Sequence, residues 1–284
     1  GSSSQKKDEP PVYSPLQVLV PEATGKETLG SSPMILDVSN ISQGYFIAQS
    51  DSSDLTCSLQ IISPSGVLYS YFIAPGESAT VTFTEGSGDY TITGYQQVQG
   101  DQYAALYSET VTVQLENDFL PFLYPNQYVN FSPDSEASKL ALSMVSEDTS
   151  DIDALKQIYN YVVNNLSYDY DKAETVETGY LPDVDETLST KTGICFDYAA
   201  LTTAMLRSCD IPCKLQIGYT GDIKHAWIDV YIRSKGWVTN AVSFNGDSWS
   251  LMDPTFDSSA DSDDSAAIQD YIGNADNYTV QFTR

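Results

Sequence analysis

This sequence has a single histidine, His225, in 284 residues. That excludes any site needing two imidazoles, two-histidine zinc motifs among them. Cysteine is scarce too. Cys57, Cys195, Cys209 and Cys213 are too few to staple a chain of this length as a disulfide scaffold. Only Cys209 and Cys213 lie close in sequence, and no disulfide is expected between them. Positive charge is sparse: 13 Lys and Arg stand against 39 Asp and Glu, a formal net charge of −26. Repulsion of phosphate argues against nucleic acid and anionic membrane surfaces as partners, and cationic substrates or polymers suit the balance better. No apolar run approaches the roughly 18 residues that cross a bilayer, so no transmembrane segment is expected.

Apolar residues make up 41 % of the chain and aromatics 12 %, enough for packed cores. At roughly 100–200 residues per domain the length favours two domains. Residues 1–29 read as a tether or linker, with the polar run Ser2–Pro11 at its start. A removed leader would explain such a tether, so an extracellular or cell-surface location, as a lipoprotein, is expected. Residues 30–116 read as β. Alternation recurs in Thr56–Ile62, Val67–Ile73, Ser78–Phe83, Tyr90–Tyr95 and Tyr103–Leu115, with turn residues between them. Several short strands of this kind resemble an immunoglobulin-like sandwich, although the Cys…Trp…Cys signature is missing. Residues 117–133 form a Pro- and aromatic-rich connector, too apolar for a loose linker.

Helices open the second domain, residues 134–284. Ser135–Val145 is one candidate. In the next, Ile152, Leu155, Ile158, Tyr159, Val162 and Leu166 fall on one helical face, with Ser150 as N-cap. An acidic loop, Asp169–Thr190, follows, which either lines the cleft and favours cationic substrates or is simply a solvated loop. A third helix starts near Cys195, and Ala199, Ala200, Thr203 and Ala204 suit a close-packed position. Strands come last: Lys214–Tyr219, Lys224–Ile232, Trp237–Asn240, Ala241–Phe244 and Ser248–Met252. Helices first and antiparallel strands after indicate an α+β domain.

Chemistry concentrates late in the chain. Cys195 follows Gly193-Ile194 and opens a helix, where backbone N–H groups and the helix dipole favour a thiolate and can hold an oxyanion. A thiol nucleophile needs a base, and His225 is the one imidazole available. An acceptor must orient that imidazole, and Asp253 in Leu251-Met252-Asp253-Pro254-Thr255 can supply it. The pattern Gly193-x-Cys195-x-x-x-Ala199-x-Leu201-x-x-Ala204-Met205-Leu206-Arg207, then Ile211-Pro212, Gly218-Tyr219, His225-Ala226-Trp227 and Trp249-x-x-x-Asp253-Pro254-Thr255 resembles the transglutaminase-like superfamily.

The resemblance runs from about Tyr159 to Phe256. It implies a papain-like α+β core with Cys195 as nucleophile, His225 as general base then acid, and Asp253 as orienting acceptor. Acyl transfer through a thioester follows, on a peptide or protein substrate. Water as acceptor gives an amidase or peptidase, and a lysine amine gives a cross-linking enzyme. Trp227, Tyr168, Tyr170 and Tyr180 are candidates for the cleft. The chain departs from the family at Asp210, where a helix-ending Gly is usual, and in an inserted hairpin, Val242–Trp249. No cofactor or metal is called for: Cys209, Cys213 and His225 match no zinc spacing, and the acidic run Asp257–Asp264 lacks the EF-hand pattern. A module that keeps the cleft without activity, for binding or adhesion, is the competing expectation. The sandwich would position the enzyme or bind a surface polymer.

Overall fold

Alternating apolar and polar residues build eight strands from the first part of the chain. These are β1 (Thr28–Ser31), β2 (Met34–Asp37), β3 (Tyr45–Ser50), β4 (Cys57–Ile62), β5 (Leu68–Ile73), β6 (Ser78–Thr82), β7 (Gly88–Gln99) and β8 (Gln102–Val113). The computed structural model describes residues 9–220, 223–245, 248–251 and 278–284. It divides into two units: Val20–Gln127 with the described residues up to Pro10, and Pro11–Leu19 with Tyr128–Arg284.

In the first unit the strands form two antiparallel sheets, ordered β1-β2-β3-β6 and β5-β4-β7-β8. Period-2 alternation sends Leu36 and Phe46 of one sheet, and Leu59, Ile73 and Ile92 of the other, into the core. Tyr107 of β8 ties the sheets together, its hydroxyl donating to the Met34 carbonyl of β2 at 2.6 Å. Gly94 makes room for it, since a Cβ there would stand 2.7 Å from the Tyr107 ring. The aromatic stretch 117–133 is apolar because it is core. Phe119, Leu120, Phe122 and Leu123 are buried in the first unit, and Val129 and Phe131 belong to the core of the second.

The second unit begins with α1 (Glu136–Met144) and α2 (Asp151–Asn165). Then come β9 (Ser167–Tyr168), α3 (Tyr170–Thr175), α4 (Val184–Thr190), β10 (Thr192–Gly193) and α5 (Cys195–Ser208). It ends with β11 (Cys213–Thr220), β12 (Ile223–Ile232), β13 (Gly236–Asn245), β14 (Ser248–Leu251) and β15 (Tyr278–Thr283). The last five form an antiparallel sheet ordered β14-β13-β12-β11-β15.

Three readings of the sequence change here. Asp169–Thr190 is not a plain loop: Asp169 caps α3 by accepting from the Lys172 N–H, and Asp183 caps α4 by accepting from the Glu186 N–H. The strands expected at Trp237–Asn240 and Ala241–Phe244 are one, passing through Asn240 at φ +53. Residues 11–19 are not tether. Leu16 and Val18 pack against the second unit's core, because burying them removes apolar surface from water. Cys209 and Cys213 are both free thiols, buried rather than bridged.

Helix α5 lies at the centre of the second unit. Ala199, Ala200, Thr203 and Ala204 are fully buried, their small side chains admitting Ala226, Ile228 and Val230 of β12 into the same core. Arg207 is buried as well. Its guanidinium donates to the carbonyls of Cys213 and Arg284, pinning α5 to the sheet. Burial pushes the Arg207 pKa down to about 10.

The helix ends on paired bonds, Ile211 N–H to the Leu206 carbonyl and Asp210 N–H to that of Arg207. Asp210 takes φ +60, the left-handed position where Gly or Asn is favoured. Burial lifts its carboxyl from 3.8 to about 7, against the pull of the Gln17 N–H and of Arg233.

A stability prediction follows from that sign. The neutral form is preferred in the folded state, so the contribution is complete below about pH 4 and is lost as pH rises through 7. At about 1.36 kcal/mol per pH unit, the ceiling is roughly 4 kcal/mol. Asp210→Asn fits the same backbone and carries no charge. At pH 8 it is expected to stabilise the second unit by roughly 2–4 kcal/mol over wild type, with the gain gone at pH 4. Denaturant titrations at both pH values test this, and identical wild-type and variant curves at pH 8 would refute it.

Candidate active site

The route into α5 is set by a short parallel pairing of β9 with β10, Ser167 beside Thr192 and Tyr168 beside Gly193. Gly193 is required by close approach: a Cβ there would lie 2.7 Å from the Asp197 Cβ. Ile194, in extended conformation, is the N-cap. Asp197, in the first turn, reaches back and accepts from the Ile194 N–H at 2.9 Å. Cys195 thus becomes the first residue of α5.

Asp197 is fully buried and does more than cap. It pairs with the Lys172 ammonium of α3 at 2.9 Å and accepts from the Tyr180 hydroxyl at 2.5 Å. Lys172 also stands 4.6 Å above the Tyr180 ring. Burial, then the bond to Asp197, pushes the Tyr180 phenol up to about 12. Burial opposes the Lys172 charge, but its bonds to Tyr180 and Asp197 outweigh that and hold its pKa above the ordinary value. The segment between α2 and α5 is therefore fastened to the start of α5. Sequence reading missed Asp197 and the role of Lys172. An acidic residue two positions after the helix's first residue was the available signal.

Burial pushes the Cys195 thiol up, against the Ala226 and Phe196 backbone amides, which favour the thiolate. This reverses the sequence expectation of a lowered value. The helix-start amides act as expected, but the sulfur sits against the sheet, and desolvation of the charged form is larger. The Ala226 amide belongs to the peptide bond that joins His225 to Ala226, so β12 brings the histidine backbone beside the thiol. His225 is half-buried and pairs with Gly218 of β11.

The other candidates are placed less uniformly. Trp227 is only 2 % exposed and packs over Gly218, so it belongs to the interior rather than to an open cleft wall. Tyr180 is committed to Asp197. Tyr168 packs against the core and meets Tyr170 edge-on at 4.9 Å, while Tyr170 is exposed. Asp253 lies outside the described residues. Leu251, the last described residue of β14, stands level with Val242 and through it with Ile228, three residues beyond His225. Among the described residues no group of three or more His, Cys, Asp or Glu side chains is placed to hold a metal ion.

Residues 138–254 match the family model of the transglutaminase-like superfamily. This part of the chain is a transglutaminase-like domain. The domain's curated relatives include the UPF0252 protein MJ1282 of Methanocaldococcus jannaschii, 40 % identical over 62 residues, which are 20 % of this chain and 18 % of that protein. Another is the uncharacterized protein YebA of Bacillus subtilis, 25 % identical over 175 residues, 54 % of this chain and 23 % of that protein. The chain thus spans less than a quarter of either relative. Among solved structures it is similar to a candidate cysteine protease from Cytophaga hutchinsonii, at 19 % identity and a TM-score of 0.36, covering 75 % of this chain and 77 % of that one. A candidate protease from Parabacteroides distasonis is similar at 14 % identity and a TM-score of 0.32, covering 66 % and 38 %. No helix among the described residues is long and apolar enough to cross a membrane.

Proposed function

We propose that the transglutaminase-like domain is a secreted or surface-anchored thiol enzyme that transfers acyl groups from peptide or protein amides. The observation carrying this reading is the position of Cys195 at the start of α5, with the Ala226 amide, and hence the peptide bond of His225, beside its sulfur. His225 takes the thiol proton as the sulfur attacks the amide carbon. It returns that proton to the departing amine, leaving a thioester. Water then attacks the thioester, giving up a proton to His225, and the acid departs with the thiol restored; an amine acceptor in place of water gives a new amide. Asp253 enters as orienting acceptor on the sequence motif alone. The first unit is read as an immunoglobulin-like module that positions the enzyme or binds a surface polymer.

One observation favours a second reading, a binding module with a retired thiol: burial raises the Cys195 pKa instead of lowering it. Alkylation followed by mass spectrometry across pH 5–9 separates the two. On the enzyme reading Cys195 reacts at mildly acidic pH as an ion pair with His225, and His225→Ala lowers the rate there about tenfold or more. A rate indifferent to His225, and no faster than that of buried Cys57, would establish the binding module instead.

A further inference from the structure

At the opposite end of α5 from Cys195, about 20 Å away for a helix of this length, the second unit has an open cavity of about 730 Å³. Four pieces of chain wall it: Val12–Leu16, the α1–α2 connection, the turn after α5, and the turn after β12 at Arg233. We propose that this cavity is a second binding site, taking a cationic group carried on an aliphatic stem, such as a lysine side chain. The site is independent of whether Cys195 reacts.

Its chemistry is divided. Leu16, Val145, Ala154 and Ile211 supply apolar surface for methylenes. Glu147, Asp148, Asp151 and Asp210 supply negative charge, against Arg233 as the lone cation among the lining residues. Some of these groups are already committed. Asp151 accepts from the Ile152 and Arg233 N–H groups. Glu147 accepts from the Ser14 hydroxyl. The Arg233 guanidinium donates to the Pro11 carbonyl at 3.1 Å.

Asp210 is different. It is 6 % exposed, and its Oδ1 has no hydrogen-bond partner among the described residues. Its Oδ2 receives only a long 3.4 Å bond from the Gln17 N–H. A buried carboxylate this weakly satisfied is costly once it is charged, and an arriving ammonium supplies the missing opposite charge beside it. Exposed Asp148 provides a second anchor at the rim.

Ionisation of Asp210 is a prerequisite for that pairing. The charged or titratable groups facing it from the packed elements are Arg233, Asp151, Glu147, Asp148, Cys209 and Tyr13. Cys209 is held as a neutral thiol by burial. With the Asp210 carboxyl at about 7, affinity for a cation rises about tenfold from pH 6 to pH 8, following the ionised fraction.

The test titrates the full chain with Nα-acetyl-lysine methylamide, reading backbone amide NMR shifts at Val145–Asp151 and Cys209–Ile211. Saturable shifts confined to these segments are expected, tightening about tenfold from pH 6 to pH 8. Asp210→Asn should abolish the pH dependence, and Asp148→Asn should weaken binding at both pH values. Asp134→Asn, which removes one exposed charge elsewhere on the same unit, should leave the affinity unchanged. A second arm uses 1,5-diaminopentane: equal binding assigns the site to free amines, weaker binding to a lysine within a peptide. Equal binding of the neutral norleucine analogue, shifts scattered over the acidic surface, or an Asp210→Asn variant indistinguishable from Asp134→Asn would overturn the site. Near-UV circular dichroism confirms that each variant is folded, and Asp148→Asn decides the matter if Asp210→Asn is not.

Discussion

Asp197→Ala is expected to cost the second unit about 3–5 kcal/mol, the range for breaking a buried ion pair by removing one partner. The size follows from what is left behind. Lys172, the Tyr180 hydroxyl and the Ile194 N–H all converge on this one carboxylate. All three lose their charge-assisted bonds together, and Ile194 is the N-cap of α5. Lys172→Ala should cost much less, because the Lys172 side chain is 32 % exposed and its charge is partly solvated in any case. The asymmetry is the decisive readout. Urea titrations of the two variants measure it, and equal losses would mean that Asp197 acts only through the ion pair and not as a hub. Cys195 alkylation should also lose its selectivity over the other thiols in Asp197→Ala, since the helix start is no longer fixed.

Gly218→Ala is the second large effect. A methyl group there would stand 1.9 Å from the Thr279 carbonyl oxygen of β15 and 2.8 Å from the Trp227 ring. Backbone cannot yield as the end of a flexible side chain can, so β15 must move away from β11. A cost of about 3 kcal/mol or more is expected, the upper range for overpacking. Gly218 is also the register partner of His225, so the displacement reaches the candidate site through the β11–β12 ladder. Hydrogen exchange at Val280–Thr283 is the direct measurement: these amides should lose protection first. Full protection with a loss of stability under about 1 kcal/mol would mean that the sheet absorbs the methyl elsewhere.

What the sequence made legible was what repeats locally. Helix α2 holds five of the six apolar residues read as one face, the sixth, Leu166, being its C-cap, and its Ser150 cap accepts from the Asp153 N–H as the pattern requires. Strands β4 to β8 of the first unit announced themselves by alternation between turn residues, whereas β1 to β3 did not. Helices α3 and α4 did not, because six or seven residues complete too few turns to show a period. Their capping aspartates were visible, but among many other acidic residues. At the candidate site, the helix start at Cys195 and the strand carrying His225 could be read from the motif. The direction of the thiol's pKa could not, because it depends on how deeply β12 buries the sulfur. Nor could the meeting of Lys172, Tyr180 and Asp197, which are neighbours only after folding. Strand β15 was invisible for the same reason: its place is fixed by pairing with β11, some sixty residues earlier.

The second unit is assembled from both sides of the first along the chain. Pro11–Leu19 belong to it, yet all of Val20–Gln127 is made before the rest arrives. At the other end, β15 closes the sheet last, with the Leu215 and Arg284 backbones bonded to each other. During synthesis the first unit needs nothing beyond Gln127, whereas the second stays incomplete until Thr283 has left the ribosome. Through that interval β11 presents an open edge, ready to pair with a strand from another nascent chain. Slow translation or crowded polysomes therefore threaten this protein through the order in which its parts emerge, and a chain that is stable once β15 has paired can still be lost to aggregation before that strand is made.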